Sequence, residues 1–227
     1  MNTHLTELAF ILDRSGSMSH LASAAIEGFN HFLHEQQSAP GRARLTLVLF
    51  DDEYLVPAQS LPVAEVLPLD EHSYVPRNTT ALLDAIGRTV DEIGTRLAAL
   101  PEPDRPAKVI VAILTDGLEN ASTHYTWKDV ASRIKHQTDV YRWDFLFLGA
   151  NQDAIATAAQ LNIAAQNAAT YHADAVGVRS TGRSLSRKSS ALRAQSQGCA
   201  SAEEIHAAAA PMQDLVQEED RKGRGED

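Results

Sequence analysis

The 227-residue sequence lacks several features that would assign a protein to a particular compartment or chemistry. It has one cysteine, so neither a disulfide framework nor a thiolate zinc cluster is predicted, and a reducing compartment is expected. No apolar run approaches the roughly 20 residues that a membrane-spanning helix needs. Residues 1–7 lack a basic stretch leading into an apolar one, so we predict no secretion signal and expect a cytoplasmic location.

The sequence also lacks an excess of basic residues. The chain has 30 acidic and 20 basic side chains, a net charge of −10, and this balance argues against general binding to nucleic acids or anionic membranes. The charge is uneven, because residues 175–200 hold five basic side chains and no acidic one, whereas residues 201–227 hold eight acidic and three basic ones. The five basic residues are Arg179, Arg183, Arg187, Lys188 and Arg193.

The basic segment has a helical pattern, since its first three arginines are four residues apart and would share one helix face. We interpret that face as solvated or docked on the acidic body, and contact with an acidic partner or with the tail is the alternative. Residues 199–227 are polar and acidic, and their last ten residues show no apolar periodicity. We therefore predict one domain over residues 1–198, with its core at 5–175 and a C-terminal helix at about 174–193, followed by a disordered tail.

Apolar runs and helical patterns alternate along the core. Strands are predicted at 7–13, 45–50, 54–56, 108–115, 145–149 and about 168–172, with long helices between most of them. The strands at 45–50 and 54–56 flank a short polar turn, so they are predicted to form a hairpin. The rest of the alternation predicts an α/β protein with a parallel sheet covered by helices on both faces.

Three segments with oxygen-bearing side chains follow this pattern. Functional groups of an open parallel sheet gather at the carboxyl ends of its strands, which is where we expect these segments. Their two carboxylates and three hydroxyl groups are hard donors, which suit Mg²⁺ or Mn²⁺ and do not suit zinc or copper. The segments are Asp13-Arg14-Ser15-Gly16-Ser17, Asn78-Thr79-Thr80-Ala81-Leu82-Leu83-Asp84-Ala85 and Thr115-Asp116-Gly117.

Together these three segments resemble the metal-ion-dependent adhesion site (MIDAS) of the von Willebrand factor type A (VWA) domain. The resemblance covers roughly residues 5–175, and the run from Phe10 to Met18 is similar to bacterial intracellular members of that family. The resemblance implies a doubly wound, mostly parallel central sheet with one antiparallel edge strand, which agrees with the predicted hairpin. Asn78 stands where the family often has glycine, and asparagine tolerates the left-handed backbone that such a turn needs.

The resemblance also implies roles for five residues. Ser15 and Ser17 would bind the metal directly, Thr80 would do so when a ligand is engaged, and Asp13 and Asp116 would act mainly through bound waters. A Glu or Asp of a partner protein would fill the open position. The expected function is therefore a Mg²⁺- or Mn²⁺-dependent protein-interaction module that is not an enzyme, with an AAA+ ATPase or a stress-response protein as the partner class.

Four alternatives accompany this interpretation. Thr79 rivals Thr80 as the ligand, and Ser17 could simply cap a helix. A Mg²⁺-dependent phosphoryl-transfer or hydrolytic enzyme also uses aspartates at the end of a sheet, although Asp13 lacks a second acid beside it. The chain could also be a scaffold that uses the basic 179–193 face. Glu119 and Asn120 are interpreted as polar loop residues or as supports of the site, with loop polarity favoured for Glu119.

Overall fold

The computed structural model describes residues 1–150 and 154–226. Within these residues a six-stranded sheet has the order β3-β2-β1-β4-β5-β6, and only β3 runs antiparallel to its neighbour. The strands are β1 (Asn2–Asp13), β2 (Arg42–Phe50), β3 (Tyr54–Pro62), β4 (Pro106–Thr115), β5 (Asp144–Ala150) and β6 (Ala168–Tyr171). The predicted hairpin is β2 and β3, and the predicted α/β fold with an antiparallel edge strand is confirmed.

Helices cover both faces of this sheet. They are α1 (Ala22–Ser38), α2 (Leu82–Ala99), α3 (Trp127–Tyr141), α4 (Ala154–Gln160), α5 (Ala175–Gln197), α6 (Ala202–Ala209) and α7 (Met212–Arg224). No helix within the described ranges combines the length and apolar character needed to traverse a lipid bilayer.

Alternation along β1 explains the two layers. Phe10 points to the face covered by α1 and α5, where its ring meets Phe29 and Phe32 edge-on. Ile11 points to the opposite face and joins the apolar cluster of α2, α3 and α4. Successive side chains of a strand face opposite ways, so a strand buried on both faces is apolar throughout. Because β1 and β4 are central and parallel, their last residues meet at one edge of the sheet.

The C-terminal segment differs from the predicted disordered tail. Residues 202–209 and 212–224 form α6 and α7, which pack on α5. Met212, Leu215 and Val216 are buried and supply a short apolar stripe at helical spacing. The charged residues beyond them pair within α7, Lys222 with Glu218 and Arg224 with Asp220, so the charged pattern belongs to a helix.

The basic segment lies within α5 and is engaged inside the chain. Arg179 pairs with Glu27 of α1 and Arg187 pairs with Glu218 of α7. Lys188 and Arg193 are buried, whereas Arg183 is exposed. Docking on the acidic parts of the same chain therefore describes this face better than a free contact surface does.

Candidate metal site

The two central strands deliver the first and third segments to one place. Leu12 of β1 is paired with Leu114 of β4, so Asp13 and Thr115 lie side by side where the strands end. Asp13 is fully buried, and its two carboxylate oxygens accept hydrogen bonds from the Ser15 amide at 2.7 Å and the Thr115 hydroxyl at 2.6 Å. These bonds fix the orientation of the Asp13 carboxylate.

The serines connect the first segment to the third. Ser15 Oγ lies 3.0 Å from Ser17 Oγ, and Ser17 Oγ donates to Asp116 Oδ1 at 2.6 Å. The helical turn that begins at Gly16 has no side-chain cap, so the structure does not support helix capping as the role of Ser17. Asp13, Ser15, Ser17 and Asp116 are thus joined by consecutive hydrogen bonds, the first from the Ser15 amide and the others between side-chain oxygens.

The second segment brings Thr80 to the same place. Thr80 is buried whereas Thr79 is exposed, so Thr80 is the threonine that faces inward. A Cβ atom placed on Gly117 would lie 2.7 Å from Thr80 Oγ1 and 3.5 Å from Asp13 Oδ2. Because glycine has no side chain, this space between Thr80 and Asp13 stays open. Asn78 has φ of 56°, which is the left-handed turn expected of it.

The two carboxylates lie in an environment that disfavours negative charge. The pKa of Asp13 is raised to about 6, chiefly by burial and to a smaller extent by the nearby charge of Asp116. Burial also raises the pKa of Asp116. Over the described part of the chain neither aspartate forms an ion pair with a lysine or arginine. A bound cation would offset this cost.

Side chains from the third segment fix the second one. Helix α2 has no side-chain cap of its own. Instead, Asn120 Oδ1 accepts from the Thr80 amide at 2.9 Å and Glu119 Oε2 accepts from the Leu83 amide at 2.9 Å. Ser122 Oγ accepts from the Asp84 amide at 3.0 Å. Glu119 is therefore a helix cap supplied by another loop, and loop polarity alone, the favoured interpretation, is wrong for it.

Two buried tyrosines donate hydrogen bonds to the backbone at the ends of β1 and β4. Tyr74 Oη donates to the Asp13 carbonyl at 2.5 Å, and Tyr171 Oη donates to the Thr115 carbonyl at 3.1 Å. Burial raises the pKa of both phenols well above the usual value, and the negative charges of Asp13 and Asp116 add to this effect. The sequence pattern did not predict these two residues, because an isolated tyrosine carries no spacing signal.

The donor set fits a hard divalent cation. Two carboxylates and three hydroxyl groups converge, and the fit does not depend on histidine or thiolate ligands. Among the described residues there is no group of three or more His, Cys, Asp or Glu side chains that could hold a metal ion. A site here would consequently rely on serine and threonine for most of its protein ligands.

Comparison with known proteins identifies the fold. No protein-family model and no curated protein matches the sequence. Solved structures do match: a von Willebrand factor type A protein from Catenulispora acidiphila has 18% identity and a TM-score of 0.54 over 82% of this chain and 42% of its own. Proximal thread matrix protein 1 from the mussel byssus, with a zinc-occupied MIDAS motif, has 14% identity and a TM-score of 0.54 over 82% of this chain and 46% of its own.

A third similar structure is the manganese-loaded TRAP protein of Plasmodium vivax, with 15% identity and a TM-score of 0.52 over 76% of this chain and 70% of its own. This chain thus spans less than half the length of the Catenulispora and mussel chains. Together with the sheet order and the antiparallel edge strand, these likenesses show that the chain has the VWA fold.

Proposed function

We propose that this chain is a protein-interaction module that depends on a divalent metal. The observation that carries the proposal is the hydrogen-bond network of Asp13, Ser15, Ser17 and Asp116, together with the space beside Gly117 that Thr80 Oγ1 and Asp13 Oδ2 both border. These five residues would hold Mg²⁺ or Mn²⁺. A bound ion of this kind supplies positive charge that attracts an acidic side chain of a partner protein.

Two features of the chain prepare it for that role. The hydrogen bonds to Asp13 and Asp116 orient both carboxylates before any ion arrives. The serine and threonine hydroxyls are neutral, so few negative charges are available to offset the ion. A Glu or Asp of the partner is therefore the expected complement. The zinc in the mussel protein and the manganese in the Plasmodium protein support a divalent ion here.

The first test is direct metal binding. Titration of Mn²⁺ into the protein, followed by electron paramagnetic resonance, should give one site for which Mg²⁺ competes. Asp13→Ala and Asp116→Ala should abolish it. Asp139→Ala is the matched control, because Asp139 is exposed on α3 and its one ion pair among the described residues is with Lys135 of the same helix. Binding that survives both site substitutions would contradict the proposal.

The second test concerns the partner. An AAA+ ATPase or a stress-response protein is the class to examine first, because the sequence of residues 10–18 is similar to that of bacterial intracellular VWA proteins. Capture should require Mg²⁺ and should fail after EDTA treatment or with Asp13→Ala. It should also fail when one Glu or Asp of the partner is changed to Gln or Asn. Equal capture with and without metal would contradict a metal-dependent contact.

We infer that the module acts without catalysis. Both oxygens of Asp13 are engaged by Ser15 and Thr115, so this carboxylate is poorly placed to attack a phosphoryl group. Incubation with Mg²⁺ and a generic phosphate ester should therefore give no turnover. Turnover that is lost in Asp13→Asn would instead establish the hydrolytic alternative.

A further inference from the structure

Asp51 is a buried carboxylate that the metal-site residues do not include. It follows β2, the strand beside β1, and is fully buried. The residue before it, Phe50, is paired with Asp13 across the two strands. Asp51 therefore lies one strand away from the proposed ligands, at the same edge of the sheet.

The side chain of Asp51 gathers two arginines. Its Oδ2 lies 3.1 Å from Arg14 Nη2 and accepts from Arg77 Nε at 2.9 Å. Its Oδ1 accepts from the Glu53 amide at 2.6 Å, which closes the turn between β2 and β3. Glu53 also pairs with both arginines. Asp51 and Arg14 are thus the two buried members of a four-residue charge network.

Each arginine belongs to a different ligand-bearing segment. Arg14 stands between Asp13 and Ser15, and Arg77 begins the turn that leads to Thr80. The Arg77 amide donates to the Arg14 carbonyl at 2.8 Å, which joins the two segments directly. The network therefore clamps the first and second segments together from the side of β2.

The backbone around Asp51 reinforces this clamp. The Arg14 amide donates to the Phe50 carbonyl at 2.8 Å, and the Ala81 amide donates to the Asp51 carbonyl at 2.8 Å. Arg14 Nε is buried and has no hydrogen-bond partner among the described residues. A buried guanidinium with one unsatisfied nitrogen is costly, so its remaining contacts with Asp51 and Glu53 are the ones that make it tolerable.

We propose that Asp51 is a positioning residue for the metal site, holding the serines of the first segment and Thr80 of the second in one arrangement through Arg14 and Arg77. This inference rests on the proposed function. Asp51 does not touch the metal in this arrangement, but it fixes the segments that do. Supporting groups of this kind change metal affinity by roughly 10- to 100-fold when they are removed.

The experiment compares Asp51→Asn with a matched buried pair elsewhere. Glu7 is also fully buried and pairs with Arg96, and it lies on β1 six residues before Asp13, about 20 Å away at the usual rise of a strand. Mn²⁺ affinity and thermal unfolding in EDTA should be measured for wild type, Asp51→Asn and Glu7→Gln. We expect Asp51→Asn to weaken Mn²⁺ binding at least tenfold, and Glu7→Gln to leave it within twofold.

Arg77→Met provides a second variant in case Asp51→Asn does not fold, because Arg77 is partly exposed. Arg77→Met should also weaken Mn²⁺ binding, and Arg77→Lys, which keeps the positive charge, should bind Mn²⁺ more tightly than Arg77→Met does. Hydrogen exchange in EDTA gives a readout without metal: Asp51→Asn should speed exchange at Gly16, Arg77 and Ala81, and Glu7→Gln should not.

The outcomes distinguish the positioning role of Asp51 from the proposed metal-dependent function. Equal Mn²⁺ affinity in wild type and Asp51→Asn, or an equal loss in Glu7→Gln, would overturn the positioning role and leave the metal site intact. Absence of binding in wild type would overturn the proposed function and this inference with it. A loss confined to Asp51→Asn and Arg77→Met would support the inference.

Discussion

Two regions of the protein treat buried or partly buried charge in opposite ways. Beside helices α5–α7, the buried cations Lys188 and Arg193 are met by backbone carbonyls. Arg193 donates to the Gln36, Pro40 and Gly41 carbonyls and to Gln36 Oε1, at 2.9–3.3 Å. Lys188 Nζ donates to the Ala208 and Ala210 carbonyls at 2.6 Å each.

At the carboxyl edge of the sheet, two negative charges have no lysine or arginine partner among the described residues: those of the buried Asp13 and the partly buried Asp116. Asp13 and Asp116 accept hydrogen bonds from neutral groups, and burial raises the pKa of both. Burial also lowers the pKa of the two cations on α5, in the case of Arg193 to about 10. The difference is that oxygen atoms surround the cations, whereas among the described residues neither Asp13 nor Asp116 forms an ion pair with a lysine or arginine.

This contrast separates charges that stabilise the fold from charges that are available to bind a metal. In the helical region each buried charge fastens one element to another, so its removal should cost stability alone. At the sheet edge Asp13 and Asp116 have no lysine or arginine to pair with among the described residues, so their removal should cost binding more than stability. Substitutions in the two regions should therefore differ in their effects on unfolding free energy and on Mn²⁺ affinity.

Asp13→Ala should have the largest effect at the sheet edge. We expect Mn²⁺ affinity to fall by more than 100-fold, because the buried carboxylate and the orientation of Ser15 are both lost. The metal-dependent rise in the melting temperature should disappear with it. Differential scanning fluorimetry with and without Mn²⁺ checks this, and a full metal-dependent rise in the variant would break the contrast.

Arg193→Met should have the largest effect in the helical region. The substitution leaves four oxygen acceptors without their donor, two of them on the connection after α1, so we expect a loss of about 3–5 kcal/mol in unfolding free energy. Urea unfolding measures it. Mn²⁺ affinity of the folded variant should equal that of wild type, and a weakened affinity would show that the two regions are coupled.

The strand pattern of the sequence predicted the fold class and placed the three oxygen-bearing segments at strand ends, and the resemblance to VWA domains then singled out the five candidate ligands. Strand periodicity locates strand ends, and parallel strands place those ends together, so Asp13 and Asp116 could be assigned to one edge. The burial of Thr80 and the left-handed Asn78 agree with the expected turn.

The supporting residues could not be predicted in this way. Asp51 resembled an ordinary turn residue, and its partners Arg14 and Arg77 are 37 and 26 positions away in sequence. Glu119 caps a helix that begins 37 residues earlier than it, at Leu82. Such contacts follow from packing between segments, which local propensity does not contain. The same applies to α7, where three apolar residues suffice because α5 and β6 cover them.

Gly117→Ala tests the open space between Thr80 and Asp13. The new methyl group would lie 2.7 Å from Thr80 Oγ1, so Thr80 must move, and we expect roughly tenfold weaker Mn²⁺ binding. Gly94→Ala on α2 is the control: its methyl group meets only the end of the Gln137 side chain at 3.2 Å. The control should keep full affinity, and isothermal titration calorimetry compares the two. Equal affinities would mean that Thr80 does not contribute at this position.

Asn120→Ala should have a smaller effect, because it removes one cap of the second segment. The Thr80 amide would lose its acceptor at a cost of about 1 kcal/mol, and its hydrogen exchange should accelerate accordingly. Ser132→Ala on α3 is a matched control, since within residues 1–150 and 154–226 the Ser132 hydroxyl donates to the Lys128 carbonyl of its own helix and to no other group. Unchanged exchange at Thr80 would contradict the capping role of Asn120.

Leu118→Ser should have the smallest effect on the protein itself and still impair the partner contact. Leu118 lies two residues after Asp116 and is 68% exposed, so its replacement should change the unfolding free energy by less than about 0.5 kcal/mol. Mn²⁺ affinity should also stay the same, because Leu118 is mostly exposed and is not one of the five proposed ligands. Capture of the metal-dependent partner should weaken several-fold, since an exposed leucine beside the site would pack against the partner surface that carries the acidic residue.

Val140→Ser, on the exposed side of α3, is the control and should capture the partner as wild type does. If Leu118→Ser captured the partner equally well, recognition would depend on the charged groups of the sheet edge alone, and the contrast between the two regions would be sharper still.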